Sequence, residues 1–292
     1  MCIGSMATMK DRARSRARSA ALDALSLTAE RSGRTERGLA RPRVLFLLFH
    51  EVRPGEEDAF RTLVRQMQRG HRLVSHSEAV SRVLEDRIDG CYASISFDDG
   101  FTSGLVAARI LEEEGATACF FVCPDLLDKD RAELVRTFPL IDRAERGSLT
   151  WDELEDLRAR GHEINSHTLT HPIIAGVPAE EAARQIIASR EQLASRLDSG
   201  AHFAWPHGQF ADFTPAARAA VEQAGYVSGA SAVRGAHTSA VAAGTVPCLR
   251  RENIDLAWPA RHVQYFLGRS ALRSTPADNL WPASLSPAGE AA

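Results

Sequence analysis

Two adjacent carboxylates, Asp98 and Asp99, end the apolar run Tyr92 to Phe97 and are followed at once by Gly100. Neighbouring carboxylates repel one another unless a cation or a shared proton separates them. On a flat strand adjacent residues also point to opposite faces. The pair can therefore serve one site only if the chain bends, and Gly100 permits the bend. Taken alone, the triplet is better explained as a βα turn with a helix cap. A second pair changes that reading. His167 and His171 stand at i and i+4, which on a helical turn puts both imidazoles on one face, close enough to hold one ion. Pro172 keeps such a turn short. Two imidazoles and a carboxylate from another strand end make an open catalytic metal site, with water in the fourth position.

These residues need elements to position them. From about Arg43 to about Gly268, apolar runs alternate with amphipathic segments. RVLFLLF, YASISF, TACFFV, HEINS, HFAW, YVSGAS and TVPCLRR read as strands, with HRLVS as a further short one. Helices are expected over Asp58–Arg69, Glu78–Glu85, Gly104–Glu114, from a Thr150–Glu153 capping box to Gly161, over Pro178–Leu197, over Pro215–Ala224 and around Pro259–Leu267. Strands alternating with helices predict a parallel sheet in an α/β fold. About seven such units favour a closed or nearly closed barrel in a single domain over an open doubly wound sheet. No glycine-rich phosphate loop follows the first strand, which argues against dinucleotide binding. In a parallel barrel, active sites form where strands end. His50, Asp98, Asp99, His167, His171, His207, Arg250 and Arg251 all sort to such positions.

SFDDG at Ser96–Gly100 and SHTLTH at Ser166–His171 resemble the two metal motifs of the polysaccharide deacetylase family, also called the NodB-homology or carbohydrate esterase 4 family. GATACFFV and TWDELEDLRARGHEINSHTLTHP resemble the family's flanking segments, and the resemblance runs from roughly His50 to Arg250. It implies a distorted (β/α) barrel. It also implies a divalent metal, most often zinc, on Asp99, His167 and His171, with Asp98 as general base. The family's arginine before the third-motif proline is replaced by Ala204 in FAWPHG, so Arg250 is the candidate to orient Asp98 by a salt bridge. Trp205 and Pro206 would shape the pocket wall, and His207 occupies a substrate-facing place. The family's last motif, a leucine-rich strand ending in histidine, is absent. Branches that deacetylate poly-N-acetylglucosamine carry the acid histidine on the first strand instead, where this chain has His50. His262 reads as part of a terminal helix.

The formal net charge of −3 gives no broad attraction for nucleic acid or an anionic membrane, and no apolar run is long enough to span a bilayer. Arginines crowd the start of the chain where a secretory signal would need an apolar centre. Residues 1–42 are therefore expected to form a basic arm, poorly ordered or helical, and residues 43–270 the barrel. The Pro-, Ser- and Ala-rich residues 271–292 are expected to form a disordered tail. Cys119 and Cys123, four apart on one strand, stand about 13 Å from each other, beyond disulfide reach. Together with an odd total of five cysteines, this points to a reducing cytoplasm.

The expected function is metal-dependent N-deacetylation of an N-acetylhexosamine unit in a polysaccharide or glycoconjugate precursor. The rival readings are a deformylase or deacylase acting on a small metabolite, and a non-catalytic carbohydrate-binding descendant. Retention of Asp98 beside all three ligand positions speaks against the last. Spacing leaves the oligomeric state open.

Overall fold

In the computed structural model, which describes residues 9–137, 147–242 and 244–286, strand β1 (Arg43–Phe49) is buried along its whole length. Its side chains alternate between two environments, as the period of a strand requires. Leu45, Leu47 and Phe49 pack outward against helices, whereas Val44 and Phe46 pack inward. The same parity runs through β3 (Cys91–Asp99), where Ala93, Ile95 and Phe97 face out, and through β4 (Ala118–Val122), where Cys119 and Phe121 face in. Being buried on both faces, these strands read as continuous apolar runs, the signature of a parallel sheet covered by helices.

The remaining strands are β2 (Arg72–Leu73), β5 (Glu163–Ser166), β6 (His202–Ala204), β7 (Ser228–Ala230), β8 (Cys248–Leu249) and β9 (Glu252–Asn253). All pairings between them are parallel, in the order β8-β7-β6-β5-β4-β3-β1-β9, with β2 beside β3. The two ends of this path are neighbours in sequence, separated only by Arg250 and Arg251. One irregular strand thus spans the seam, its first half on β7 and its second on β1. Counted that way, the distorted barrel has the seven strand positions β1, β3, β4, β5, β6, β7 and the split β8/β9, as the alternation of the sequence predicts.

Helices α1 (Met9–Arg31) and α2 (Arg34–Leu39) precede the barrel. They are followed by α3 (Glu57–Gly70), α4 (His76–Leu84), α5 (Gly104–Glu113), α6 (Arg131–Thr137), α7 (Trp151–Ala159), α8 (Ala179–Leu197), α9 (Pro215–Gln223) and α10 (Ala260–Arg273). Apolar residues of α3, α5, α7 and α10 cover one side of the sheet, and those of α8 and α9 cover the β6–β8 side. Helix α4 behaves differently. Ser75 caps it by accepting from Glu78 N at 3.2 Å, and its Ala79, Val80 and Val83 join the inward residues of β1, β4, β6, β7 and β8. It plugs one end of the barrel and leaves the other, at the carboxyl ends of the strands, for the site.

Both termini pack on the rest of the protein over their described residues. The basic arm is helical from Met9, and α2 lies so close to α10 that a Cβ on Gly38 would sit 2.1 Å from the Gly268 carbonyl oxygen. Asp23 of α1 meets His262 of α10 at 2.7 Å. The tail, expected to be disordered, instead packs on the barrel as far as it is described. Trp281, Leu285 and Asn279 are buried, the first two inside the aromatic cluster of the β6–β8 side. Pro, Ser and Ala set the local chain as short 3-10 turns, while the few large side chains supply the anchoring surface. Residues 1–8 and 287–292 of the expected arm and tail lie outside the described residues.

Candidate active site

Along β3 the inward positions are Tyr92, Ser94, Ser96 and Asp98, so parity brings Asp98 into the barrel, where it is 3% exposed. Continued alternation would turn Asp99 away. Instead Asp99 itself adopts φ 77° and Gly100 φ 76°, and the strand end twists so that both carboxylates serve one cleft. The bend thus falls one residue earlier than Gly100 alone would suggest. A left-handed aspartate costs of order 1 kcal/mol, a strain that functional sites tolerate when the surroundings hold it.

His167 and His171 do converge, though not on a helical turn. They lie in a loop after β5 in which Thr168 (φ 68°) and His171 (φ 61°) are left-handed. Side chains take over the role of helical hydrogen bonds. Gln185 Oε1 accepts from Leu169 N and Thr170 N, both at 3.0 Å, and Thr168 Oγ1 accepts from His171 N at 3.1 Å. His167 N donates to Val122 O at 2.8 Å, tying the loop to β4. The two imidazole centroids end 5.0 Å apart.

Asp99, His167 and His171 offer three ligand atoms that all lie within 4.8 Å of one another. His167 Nδ1 is 2.9 Å from the Ala204 carbonyl, which can only accept, so Nδ1 carries the proton and the Nε2 lone pair is left facing the cleft. That Nε2 is 3.3 Å from Asp99 Oδ1, and His171 Nε2 is 3.1 Å from the same oxygen. Ligands held at 2.0–2.1 Å in a tetrahedron stand roughly 3.3–3.4 Å apart. Asp99 Oδ1 is buried without a well-formed hydrogen bond. Converging lone pairs of this kind require a cation or a proton between them, so the donor set fits a divalent metal. Burial opposes a charge on Asp99, but the two imidazoles overcome it and hold its carboxyl well below the usual range. Burial likewise works against protonating His167, yet Asp98 and Asp99 prevail and raise its pKa.

Asp98 is held by Arg251, not by Arg250. Arg251 Nη1 and Nη2 donate to the two carboxylate oxygens at 2.7 Å each, in a bidentate pair with Arg251 fully buried. Arg250 points out of the barrel, where it pairs with Asp278 at 2.9 Å and lies over the Phe210 ring. The correction is one of parity. Leu249 faces inward, so Arg251, two residues on, does too, and Arg250 between them cannot. Counting from Leu249 would have found it. Burial alone would raise the Asp98 carboxyl, but the Arg251 guanidinium, aided by His167, holds it below the usual carboxylate range. Replacing Arg251 with Met leaves a buried charge without its partner, which costs about 3–5 kcal/mol. Urea denaturation should show that loss, and a midpoint equal to wild type would contradict the pairing.

A cleft of about 470 Å³ opens over these groups, lined among others by His50, Asp98, Asp99, His171, Trp205 and His207. His50, just beyond β1, is exposed to it, whereas His262 is buried against Asp23 and has no place in its lining. Trp205 forms a wall and donates its Nε1 to Gln209 O at 3.0 Å. His207 adopts φ 63°, with its ring 5.6 Å from that of His171. Pro206 is buried between them and does not line the cleft.

The parallel barrel thus brings a carboxylate, two histidines and a second, arginine-held carboxylate together at its strand ends. Residues 88–229 match the family model of polysaccharide deacetylase, a family of hydrolases acting on amide carbon–nitrogen bonds. Among solved structures, the deacetylase PplD of Streptococcus pyogenes in complex with acetate is similar over 77% of this chain and 98% of its own, at 17% identity and a TM-score of 0.62. IcaB from Ammonifex degensii is similar over 80% and 98%, at 19% identity and a TM-score of 0.62. A de-N-acetylase from Aggregatibacter actinomycetemcomitans covers 77% and 99%, at 17% identity and a TM-score of 0.60. At these identities the likeness is one of fold. No curated protein matches the chain. Among the described residues, no helix is long and apolar enough to cross a membrane.

Proposed function

We propose that this protein removes the acetyl group from an N-acetylhexosamine unit of a polysaccharide or glycoconjugate precursor. What supports this most is one juxtaposition: the Asp99–His167–His171 cluster, with its donor atoms within 4.8 Å, beside an Asp98 carboxylate fixed by two hydrogen bonds of 2.7 Å. Those three residues would hold a divalent metal, zinc on the family's pattern, and when bound it supplies a Lewis acid that lowers the pKa of water toward ~7. Asp98 takes the proton from the attacking water. Arg251 keeps it ionised and aimed while it does so. The departing amine needs a proton in turn, and His50, exposed at the cleft, delivers it. His207 flanks the sugar, and the buried Trp205 backs the cleft wall.

Acetate release from chitooligosaccharides by the zinc-loaded protein, beside UDP-N-acetylglucosamine and N-formyl compounds, tests the reading. Release from the oligosaccharides is expected. Formate release alone would move the substrate to a small metabolite.

The acid is tested separately. His50→Ala should depress kcat by ~10²-fold, within the range for general acid–base catalysis, with metal content intact. An ester substrate should suffer less than the amide, because an alkoxide leaves with less help. An amide-selective loss in His262→Ala with none in His50→Ala would move the acid to α10.

A further inference from the structure

The seam of the barrel carries Arg251, so whatever fixes the seam fixes the carboxylate that Arg251 holds. No regular ladder does this, because β8 and β9 each pair for only two residues and on opposite neighbours. The stretch from Ser231 to His237 fills the gap. Arg251 N donates to Val233 O at 3.0 Å, and Arg251 Nε donates to Ser231 O at 2.7 Å. His237 then bridges to β1 through its own backbone, donating to Val44 O at 3.0 Å and accepting from Val44 N at 2.8 Å.

The His237 ring reaches back to the seam. Arg250 N donates to His237 Nε2 at 3.1 Å, which makes Nε2 the acceptor and leaves the proton on Nδ1. Nδ1 in turn donates to Asn279 Oδ1 at 2.6 Å. Both side chains are fully buried, and burial lowers the pKa of His237, in keeping with the neutral ring this pattern needs. Asn279 Nδ2 donates to Ser239 O, and Ser274 Oγ to Ala236 O at 2.6 Å, so the segment after α10 grips the loop on both sides of His237. Two residues further, Trp281 stacks on Trp205 and Phe213 with centroids 5.6 Å away in each case, and donates Nε1 to Val246 O at 3.0 Å. It fills the space a Cβ on Gly229 would occupy, 2.6 Å from the indole.

We infer that residues Ser274–Trp281 are a positioning element of the active site. Asn279, through His237 and the Arg250 amide, sets the place of Arg251 and hence of Asp98, while Trp281 sets the tilt of the Trp205 wall. The two arms predict different kinetics. Displacing a base affects the chemical step, whereas displacing a wall affects substrate binding. Misplacement by about 1 Å can cost ~10²-fold in rate.

The inference rests on the deacetylase reading for its kinetics, so one readout is chosen that needs no substrate. In the full chain, the Arg251 Nε–H, buried and bonded to Ser231 O, should give a slowly exchanging signal in a nitrogen–proton correlation spectrum. His237→Leu and Asn279→Ala should shift it or speed its exchange, while His237→Gln, whose amide oxygen can still accept from Arg250 N, should largely restore it. In acetate release, His237→Leu and Asn279→Ala should lower kcat by ~10-fold or more at unchanged KM. Trp281→Ala should raise KM with kcat nearly kept, and Trp281→Phe should recover it. An unmoved Arg251 signal in folded, metal-loaded His237→Leu would overturn the positioning role. So would equal losses of kcat and KM in both arms, or variants differing only in melting temperature. Wild-type protein releasing no acetate, with the Arg251 signal still responding as described, would remove the substrate reading and leave the relay intact.

Discussion

Asp98→Asn is expected to keep its metal and lose turnover by ~10²–10⁴-fold, the range for removing a general base. The amide is nearly isosteric and leaves the Asp99, His167 and His171 atoms in place, but it cannot accept a proton from water at neutral pH. One complication follows from the geometry. Asp98 balances a fully buried Arg251, so the substitution also strands a guanidinium and lowers stability. The double variant Asp98→Asn/Arg251→Met separates the two effects. Removing both charges should recover much of the stability lost by either single change, because an apolar replacement of a buried pair is often neutral or better. Activity should not return with it. Turnover near wild type in either Asp98→Asn protein, measured per folded and metallated molecule, would remove Asp98 from the role of base.

That pairing also shows what the sequence can and cannot disclose. Strands β1, β3 and β4 are legible because each is a long apolar run, and residue types alone place Asp98, Asp99, His167 and His171 at or just beyond strand ends. The partner of Asp98 is harder. TVPCLRR is short, buried on both sides and split across the seam, so composition does not reveal which arginine faces inward. Only its parity with Leu249 decides for Arg251. The i,i+4 spacing of His167 and His171 predicts a helical turn, yet the protein reaches the same proximity through two left-handed residues and the amide of Gln185, fifteen or so positions downstream. SHTLTH itself supplies the Thr168 hydroxyl that accepts from His171 N, but not Gln185. The tail fails as a compositional argument for a related reason. Its Pro, Ser and Ala content is that of a flexible chain, but Asn279, Trp281 and Leu285 each meet a prepared surface that exists only once the barrel has formed. The N-terminal arm is anchored in the same way, by the close approach of Gly38 to Gly268.

Removing any one of the three metal-facing side chains should abolish metal occupancy and activity together, and the three variants should differ in what else they lose. Asp99→Ala, His167→Ala and His171→Ala each leave two donors, too few for tight binding of zinc. Wild-type protein should gain about 2.7 kcal/mol of stability at a hundredfold excess of zinc over its dissociation constant, and the variants should gain little. This readout needs no substrate. The metal-free proteins should rank differently. His167 Nδ1 satisfies the buried Ala204 carbonyl at 2.9 Å, so His167→Ala strands that acceptor at a cost of about 1–3 kcal/mol. Asp99→Ala removes a buried carboxylate and the repulsion it exerts on Asp98, but leaves a non-glycine residue at φ 77°, so its two effects oppose one another. His171→Ala deletes a ring packed beside those of His167 and His207 but leaves the Ala204 carbonyl its partner, and should therefore lose zinc at a smaller expense in metal-free stability than His167→Ala. Calorimetry with and without zinc would give both quantities. Full and tight zinc occupancy in all three variants would dissolve the site, and His171→Ala melting below His167→Ala without metal would mean that the second-layer hydrogen bond to Ala204 does not hold the first ligand in place.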